Sequence, residues 1–292
     1  MATIFDKEDR LVPTWLAASL HLETRRAQQQ QDRNLILEIA RPELITASDI
    51  RAVELVDGAL RIHSRDLNVK TVAATIFPNA LYKRHGRKGM YEAYGKIMAR
   101  AMVDRTWGTY ALRMMAWPSG DKTINQLDQT ILKLDRAAHS GHPYKSAFEI
   151  GVADPASAST SDEFGCEVPM FHPGIDGRKI GNMPCLSHLS FKLIGREFVD
   201  LSAVYRSHHY AARALGNLLG LSQLLAFVAA EAKLKVGTLT CVSTHAEFDA
   251  KSWGGAAAAQ QVLSAISSTM PHNDPATKSA NSEQGGLLVL SR

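Results

Sequence analysis

Apolar residues recur at helical spacing in several parts of the chain. Between residues 124 and 134 they lie three or four positions apart and form one stripe along a helix, at Ile124, Leu127, Ile131 and Leu134. Residues 14–57 and 90–107 also have patterns that favour helices, with the polar run 28–31 on a solvated helix surface. Residues 211–233 are apolar on almost every side, which predicts a helix buried in the core.

Short β-branched and alternating stretches predict strands around this helix. Residues 189–194 and 197–205 form a predicted hairpin with Gly195-Arg196 as its two-residue turn, and residues 144–152 and 235–242 are further strands. Residues 69–77 fit either a strand or a buried helix that ends at Pro78. The pattern therefore predicts an α+β fold in which a mixed or antiparallel sheet packs on the long buried helix.

The chain is predicted to form one domain, residues 1–252, followed by a C-terminal extension, residues 253–292. The extension begins with an Ala-rich segment, and residues 267–286 are rich in Ser, Asn, Pro and Gly. Such a composition buries little apolar surface, so we expect the extension to be partly mobile.

Composition and charge narrow the class of protein. The 292 residues are 45% hydrophobic and 21% charged, as in ordinary globular proteins, and the net charge of +4 suits an anionic substrate without indicating nucleic acid. Three cysteines are too few for a disulfide framework and favour a reducing compartment. The first ten residues do not resemble a secretory signal, and the longest apolar run, 218–230, is shorter than a membrane span. We expect a cytoplasmic protein with no membrane or nucleic-acid partner.

Cys185 is the first candidate for chemistry. Most free cysteines are small buried hydrophobes. Cys185, however, follows Pro184, and the predicted hairpin would bring it close to Arg206, whose guanidinium would favour the thiolate. Arg206 and Ser207 precede the buried helix, where an arginine and a hydroxyl can bind a phosphate, although they also fit an exposed turn.

Asn217 lies among apolar residues in the predicted buried helix. A buried amide without partners costs about 1–3 kcal/mol, so Asn217 either makes a structural hydrogen bond or recognises a flat amide-like edge of a ligand. Cys185 and His188 have a ligand-like spacing, and His208 and His209 follow, but there is no second pair at zinc-like spacing. We therefore predict no metal site.

In chain order these residues resemble the thymidylate synthase family. The family's Pro-Cys-His, Gln-Arg-Ser, helical Asn and His-x-Tyr features correspond to Pro184-Cys185, Tyr205-Arg206-Ser207, Asn217 and Thr244-His245-Ala246-Glu247. Weaker matches, which bring the resemblance to about half of the chain, are Tyr110 to Trp117, Ile124-Asn125-Gln126, and Lys145 near the family's paired arginines. Taken alone, Tyr110 and Trp117 fit core aromatics, and Lys145, His245 and Glu247 fit solvated positions.

The resemblance implies a thymidylate synthase-like fold and a one-carbon transfer, methylation or hydroxymethylation, to C5 of a pyrimidine nucleotide monophosphate. Cys185 would attack C6 and Tyr110 would assist proton removal at C5, because addition of a thiolate makes C5 nucleophilic. Arg206 and Ser207 would bind the phosphate of the substrate, and Lys145 would reach the phosphate bound by the partner subunit of a homodimer. Asn217 would bind the base, and His245 and Glu247 would bind the sugar. The implied cofactor is 5,10-methylenetetrahydrofolate, near His209 and Trp117.

The chain also departs from the family. Leu186 replaces the histidine after the nucleophile, His209 replaces the pterin-binding aspartate, and Glu247 replaces the tyrosine of His-x-Tyr. No acid in residues 72–77 matches the family's catalytic glutamate, and no closing C-terminal motif is found. The family residues that bind the nucleotide are thus better matched in this chain than those that bind the folate. Two alternatives stay open: a non-catalytic pyrimidine-nucleotide-binding homologue, and a metal-binding module built on the histidines.

Overall fold

A computed structural model describes residues 2–64, 67–101, 108–119, 121–139, 167–170 and 184–270, the side chains of residues 167–169 excepted. Its strands are β1 (Thr3–Phe5), β2 (Gln31–Ile39), β3 (Trp117–Ser119), β4 (Lys122–Ile124), β5 (Glu167–Pro169), β6 (Leu186–Ile194), β7 (Phe198–Tyr205), β8 (His208–His209) and β9 (Lys235–Glu247). Its helices are α1 (Leu11–Thr24), α2 (Ala47–His63), α3 (Val69–Ile76), α4 (Asn79–Ala101), α5 (Tyr110–Met115), α6 (Gln126–His139), α7 (Leu215–Glu231) and α8 (Ala256–Thr269).

The strands build one mixed sheet in the order β1-β2-β9-β7-β6-β5, with β8 beside β9, and β3 pairs with β4 separately. The β1–β2 and β7–β9 pairs are parallel, whereas β2–β9, β6–β7 and β5–β6 are antiparallel. This arrangement confirms the predicted α+β class and mixed sheet.

The β6–β7 hairpin forms where the sequence predicts it. Gly195 and Arg196 have φ angles of 58° and 63°, the left-handed conformation of a tight turn, and the Glu197 amide donates to the Ile194 carbonyl oxygen at 3.1 Å. The strands are separated by three residues, 195–197, rather than by the predicted two. Ile194 pairs with Phe198, and the ladder continues to Leu186 opposite Tyr205. A register shift between Leu186 and His188 moves the pairing by one residue, so the turn and this irregularity together determine which residues meet at the far end of the hairpin.

The long buried helix is also confirmed, as a π-helical turn, Tyr210–Ala214, that continues into α7. Helix α7 packs against β7 and β9 on one side and against α3 on the other. Gly216 and Gly220 allow the close contact with α3: a Cβ at Gly216 would lie 2.7 Å from Val72 Cβ, and one at Gly220 would lie 2.7 Å from the Ala73 carbonyl oxygen. The helix Tyr210–Glu231 is long and apolar enough to cross a membrane, but 78% of its most apolar window is buried within the domain.

The helical prediction for residues 14–57 is wrong in the middle of this range. Residues 14–57 are not continuously helical, because β2 lies between α1 and α2 and buries Leu35, Leu37 and Ile39 on one face. The polar run is a turn rather than a helix surface, since Gln29 and Gln30 have positive φ angles. Residues 69–77, open between strand and helix, form helix α3, which the Asn68 side chain caps. The strand predicted at 144–152 lies outside the described residues.

Residues beyond 252 contribute to the same core. Helix α8 packs on α1 and α2 and buries Ala259, Leu263 and Ile266. This helix falls within the predicted C-terminal extension, whose residues 271–292 lie outside the described part of the chain. The boundary at residue 252 and the mobility of the extension stay predictions.

Candidate functional site

Cys185 and Arg206 meet at the open end of the β6–β7 hairpin. The Arg206 amide donates to the Cys185 carbonyl oxygen at 2.9 Å, and the Arg206 guanidinium donates to the Pro184 carbonyl oxygen. Both contacts follow from the hairpin register, since Leu186 is paired with Tyr205. Cys185 is partly buried against the core, so its thiol borders both the interior and the surface.

Tyr110 lies directly against the Cys185 backbone. Its hydroxyl oxygen accepts hydrogen bonds from the Cys185 amide at 3.1 Å and the Leu186 amide at 3.2 Å. Thr109 holds Tyr110 in place because it caps α5 and its hydroxyl is 2.6 Å from the Tyr94 hydroxyl. Burial raises the pKa of Tyr110, and the two amides partly offset that rise. Tyr110 is therefore a neutral phenol beside the candidate nucleophile.

A buried polar network lies next to this pair. The Asn217 amide nitrogen is 3.1 Å from His208 Nε2, His208 Nδ1 is 2.9 Å from Ser243 Oγ, and Ser243 Oγ is 3.2 Å from the Tyr210 hydroxyl. An amide nitrogen can only donate, so Nε2 accepts and the imidazole proton is on Nδ1, as the assigned amide orientation requires. Burial lowers the pKa of His208 to about 3, which keeps the ring neutral.

Tyr205 links the network to Cys185. Its ring stacks on His208 with a centroid separation of 4.0 Å and an interplanar angle of 5°. The side chain is completely buried, and its hydroxyl has no hydrogen-bond partner among the described residues. Burial raises its pKa well above the ordinary value, with additional contributions from Tyr110, Cys241 and Cys185. A neutral phenol with an unused donor thus lies within electrostatic range of the thiol.

Arg206 and Ser207 interrupt a ladder that otherwise continues along β9. Tyr205 pairs with Ser243 and His208 pairs with Ala246, so β7 and β8 keep the same register on β9. The Thr244 hydroxyl lies 3.2 Å from the carbonyl oxygens of both Tyr205 and Arg206, and so fastens the interruption to β9. The two predicted phosphate-binding residues therefore form a short fixed break between two strands.

The predicted sugar-binding residues lie inside β9, not after a strand as the sequence suggests. His245 and Glu247 are two positions apart, which places them on the same face of the strand, and His245 Nε2 is 4.0 Å from a Glu247 carboxylate oxygen. The Gln31 side-chain amide donates to Glu247 at 3.5 Å. His209 pairs with Glu247 through the backbone, and His209 Nδ1 is buried without a partner among the described residues.

Two of the predicted site residues, Trp117 and Lys145, are not placed in the cluster around Cys185 by the structure. Trp117 is buried in β3, which belongs to the separate two-stranded sheet. Lys145 lies outside the described residues. Arg213, which sequence reasoning did not single out, is exposed and close enough to Tyr110 to lower its pKa. Arg213 adds a second positive charge to the side of the cluster formed by Tyr110.

The histidines do not gather into a metal site in the described part of the chain, where no three His, Cys, Asp or Glu side chains could hold a metal ion. Both ring nitrogens of His208 are within hydrogen-bonding distance of Asn217 and Ser243, so that side chain is committed to the network. His188 lies in β6 opposite Val204, on a different strand pair from His208.

Sequence reasoning missed the partners of Asn217. His208 was considered only as a metal ligand, Tyr205 only as part of a motif, and Ser243, which follows the predicted strand 235–242, was not considered. One available signal was Ser243 itself: it shares a strand face with Cys241 and His245, and a polar residue on the buried face of a strand needs a partner.

Three curated archaeal proteins, each named "Putative thymidylate synthase", are similar to part of this chain. Those of Methanococcoides burtonii, Methanosarcina mazei and Methanosarcina barkeri are 38%, 36% and 33% identical to it over 81 residues. The match covers 28% of this chain, and the chain spans 36% of the length of each relative. No protein-family profile matches the chain. The predicted resemblance to thymidylate synthases is confirmed, over a smaller part of the chain than the motifs suggested.

Proposed function

We propose that this protein is a thymidylate synthase-like transferase that acts at C5 of a pyrimidine nucleotide through a covalent Cys185 adduct. The observation that carries the proposal is the meeting of Cys185, Tyr110 and Arg206 at the open end of one hairpin, in a chain similar to the archaeal relatives. Methylation and hydroxymethylation both fit this arrangement.

In the proposed reaction the Cys185 thiolate forms a bond to C6 of the pyrimidine. The C5=C6 electron pair moves toward the C4 carbonyl, and C5 becomes nucleophilic enough to capture a one-carbon electrophile. A base near Tyr110 then removes the C5 proton, and the bond between sulfur and C6 breaks to regenerate the thiol. Tyr110 is suited to assist this proton transfer because its oxygen is held by the Cys185 and Leu186 amides.

The phosphate would bind at the break between β7 and β8 formed by Arg206 and Ser207. The contact to the Pro184 carbonyl orients the Arg206 guanidinium beside Cys185, where it would pair with a phosphate dianion. Asn217 would meet the base, and His245 and Glu247 would meet the sugar from β9. In this proposal the substrate is a nucleotide monophosphate and the protein works in the cytoplasm as a homodimer.

The residues predicted to hold 5,10-methylenetetrahydrofolate fit it poorly. A carboxylate offers two oxygens to the paired N–H donors of a pterin, whereas an imidazole such as that of His209 has at most one acceptor nitrogen. Trp117 belongs to the separate two-stranded sheet. We expect methylenetetrahydrofolate to bind weakly relative to the nucleotide.

Release of tritium from C5 tests the covalent step. Wild-type protein should exchange the label of 5-tritiated dUMP or dCMP with water, and Cys185→Ser should abolish the exchange while the fold stays intact. Cys241→Ser is the matched control, because burial raises the pKa of that thiol to about 12 and it stays protonated at neutral pH.

Two outcomes would contradict the proposal in different ways. Exchange by Cys185→Ser at the wild-type rate would show that the thiol is not the nucleophile. Tight nucleotide binding by a wild-type protein that releases no tritium would favour the non-catalytic homologue. Thermal shifts measured across pyrimidine mono-phosphates would identify the base and sugar in either case.

A further inference from the structure

Leu186, which follows the nucleophile on β6, and its partner Tyr205 on β7 both differ from the thymidylate synthase pattern. Leu186 stands where the family has a histidine, and Tyr205 stands where it has a glutamine. These two positions face each other directly in the β6–β7 ladder, and both side chains are completely buried. The polar side chain on β6 is thus lost, and the one on β7 is a phenol in place of an amide.

The Tyr205 hydroxyl is expensive to keep for stability alone. A buried hydroxyl without a hydrogen bond costs about 1–3 kcal/mol relative to an apolar side chain of the same shape. No described residue accepts or donates a hydrogen bond at this oxygen. Phenylalanine would fill the same volume without that cost, so the hydroxyl is best explained by a group that binds beside it.

The surroundings hold the Tyr205 ring in one orientation. His208 stacks flat against it, and His208 is itself fixed at both ring nitrogens by Asn217 and Ser243. The hydroxyl lies close enough to Cys185 and Tyr110 for charges on those groups to affect its ionisation. A preorganised neutral donor of this kind stabilises charge without having to reorganise during the reaction.

We propose that the Tyr205 hydroxyl is a catalytic group that donates a hydrogen bond to the pyrimidine ring while Cys185 adds to it. This inference rests on the proposed function. As sulfur bonds to C6, the C5=C6 electron pair shifts onto the C4 substituent, and the hydrogen bond from Tyr205 strengthens as that atom becomes negative. Tyr205 keeps its proton throughout, and the electron pair returns when the bond between sulfur and C6 breaks.

Tyr205→Phe tests this role, because it removes the hydroxyl without removing any hydrogen bond made within the described residues. We expect the rate of C5 tritium release to fall by about 100- to 1,000-fold, as for loss of one donor to a developing oxyanion. The affinity for nucleotide should fall by about tenfold, and the melting temperature should stay the same or rise. If Tyr205 were purely structural, its replacement would not lower the rate of tritium release while leaving the melting temperature unchanged or higher.

Tyr82→Phe is the matched control. Its hydroxyl donates to Glu231 at 2.7 Å, at the opposite end of α7 from Asn217, so its removal should lower the melting temperature and leave tritium release unchanged. The double variant Leu186→His/Tyr205→Gln, which restores the family's pair, should release tritium faster than Tyr205→Gln alone.

Wild-type rate and affinity in a folded Tyr205→Phe protein would overturn the inference. A wild-type protein that binds nucleotide but releases no tritium would instead overturn the proposed transferase. The hydroxyl contact would then be judged by affinity alone, with an unchanged dissociation constant for Tyr205→Phe counting against it.

Discussion

His208 is an imidazole whose two nitrogens decide the orientation of a neighbouring amide. The nitrogen end of the Asn217 amide faces Nε2, which must accept, so the ring proton lies on Nδ1 beside Ser243 Oγ. If Asn217 meets the base as proposed, the order of acceptor and donor that it presents is set by the protonation of His208. Uracil and cytosine carry these groups in opposite order, so this histidine would affect the choice of base.

His208 should also make stability depend on pH. Burial lowers the pKa of His208 from its ordinary value of 6.5 to about 3 in the folded protein. As the pH falls below 6.5 the unfolded chain binds a proton that the folded chain excludes until about pH 3. We therefore expect the free energy of unfolding to decrease across this window as the solution is acidified.

Urea unfolding at pH 7 and pH 5 would measure this effect. The decrease between the two conditions should be larger for wild type than for His208→Gln, which cannot bind the proton. His139→Gln, a change at an exposed histidine, controls for the loss of one titratable ring. An equal decrease in wild type and His208→Gln would mean that other groups govern the acid sensitivity.

At the scale of single residues, the sequence located Cys185, Arg206 and Asn217 but not the contacts of Asn217. The approach of Cys185 to Arg206 was predictable in outline, because a hairpin places the ends of its two strands together, but the register shift between Leu186 and His188 that completes it has no signal in the sequence. The bond between Asn217 and His208 depends on how β8 and α7 pack in three dimensions. No spacing rule along the chain encodes that approach.

At the scale of secondary-structure elements, the close contact between α3 and α7 depends on glycine in α7. The two helices approach so closely that a Cβ at Gly216 would lie 2.8 Å from the Val69 carbonyl oxygen, a backbone atom that cannot rotate away. Gly216 also adjoins Asn217, so any shift of α7 there would move the Asn217 amide.

Gly216→Ala should destabilise the fold by about 1–3 kcal/mol, because the added methyl group overpacks the interface of the two helices. Gly95→Ala is the matched control in helix α4: nothing lies within 4 Å of its Cβ position, so it should stabilise by up to about 1 kcal/mol. Chemical denaturation of both variants gives the comparison. Equal stability of Gly216→Ala and wild type would show that the helices can separate at little cost.

The elements that the sequence predicted well are those with a strong local signal. The buried helix is apolar all round, and the turn at Gly195-Arg196 is bounded by alternating strands. Strand β2 was missed because its apolar residues at 35, 36, 37 and 39 fit a helical stripe as well as a strand. Its identity as a strand depends on pairing with β9, more than two hundred residues away.

At the scale of the whole molecule the proposal requires two copies of the chain. In thymidylate synthases the position that Lys145 matches reaches the phosphate bound by the partner subunit. We expect a homodimer by light scattering at micromolar concentration, since two-fold pairing is the commonest closed assembly. A monomer under these conditions would count against the assignment of Lys145.

Lys145→Ala should weaken binding of a nucleotide monophosphate by about tenfold and leave binding of the corresponding nucleoside unchanged, because the lost interaction is with phosphate alone. Lys122→Ala, a change at an exposed lysine of β4, is the control for the loss of one positive charge. Equal weakening for nucleotide and nucleoside would assign Lys145 a structural role instead.

The break between β7 and β8 at Arg206 and Ser207 limits how the length of this chain can change over evolution. Because β7 and β8 share one register on β9, an inserted or deleted residue between Tyr205 and His208 would displace either the pairing with Ser243 or the pairing with Ala246. The turn at Gly195-Arg196 is not held on both sides in this way and can lengthen without moving Cys185. Natural homologues should therefore differ in length at the hairpin turn and keep an invariant interval from Tyr205 to His208.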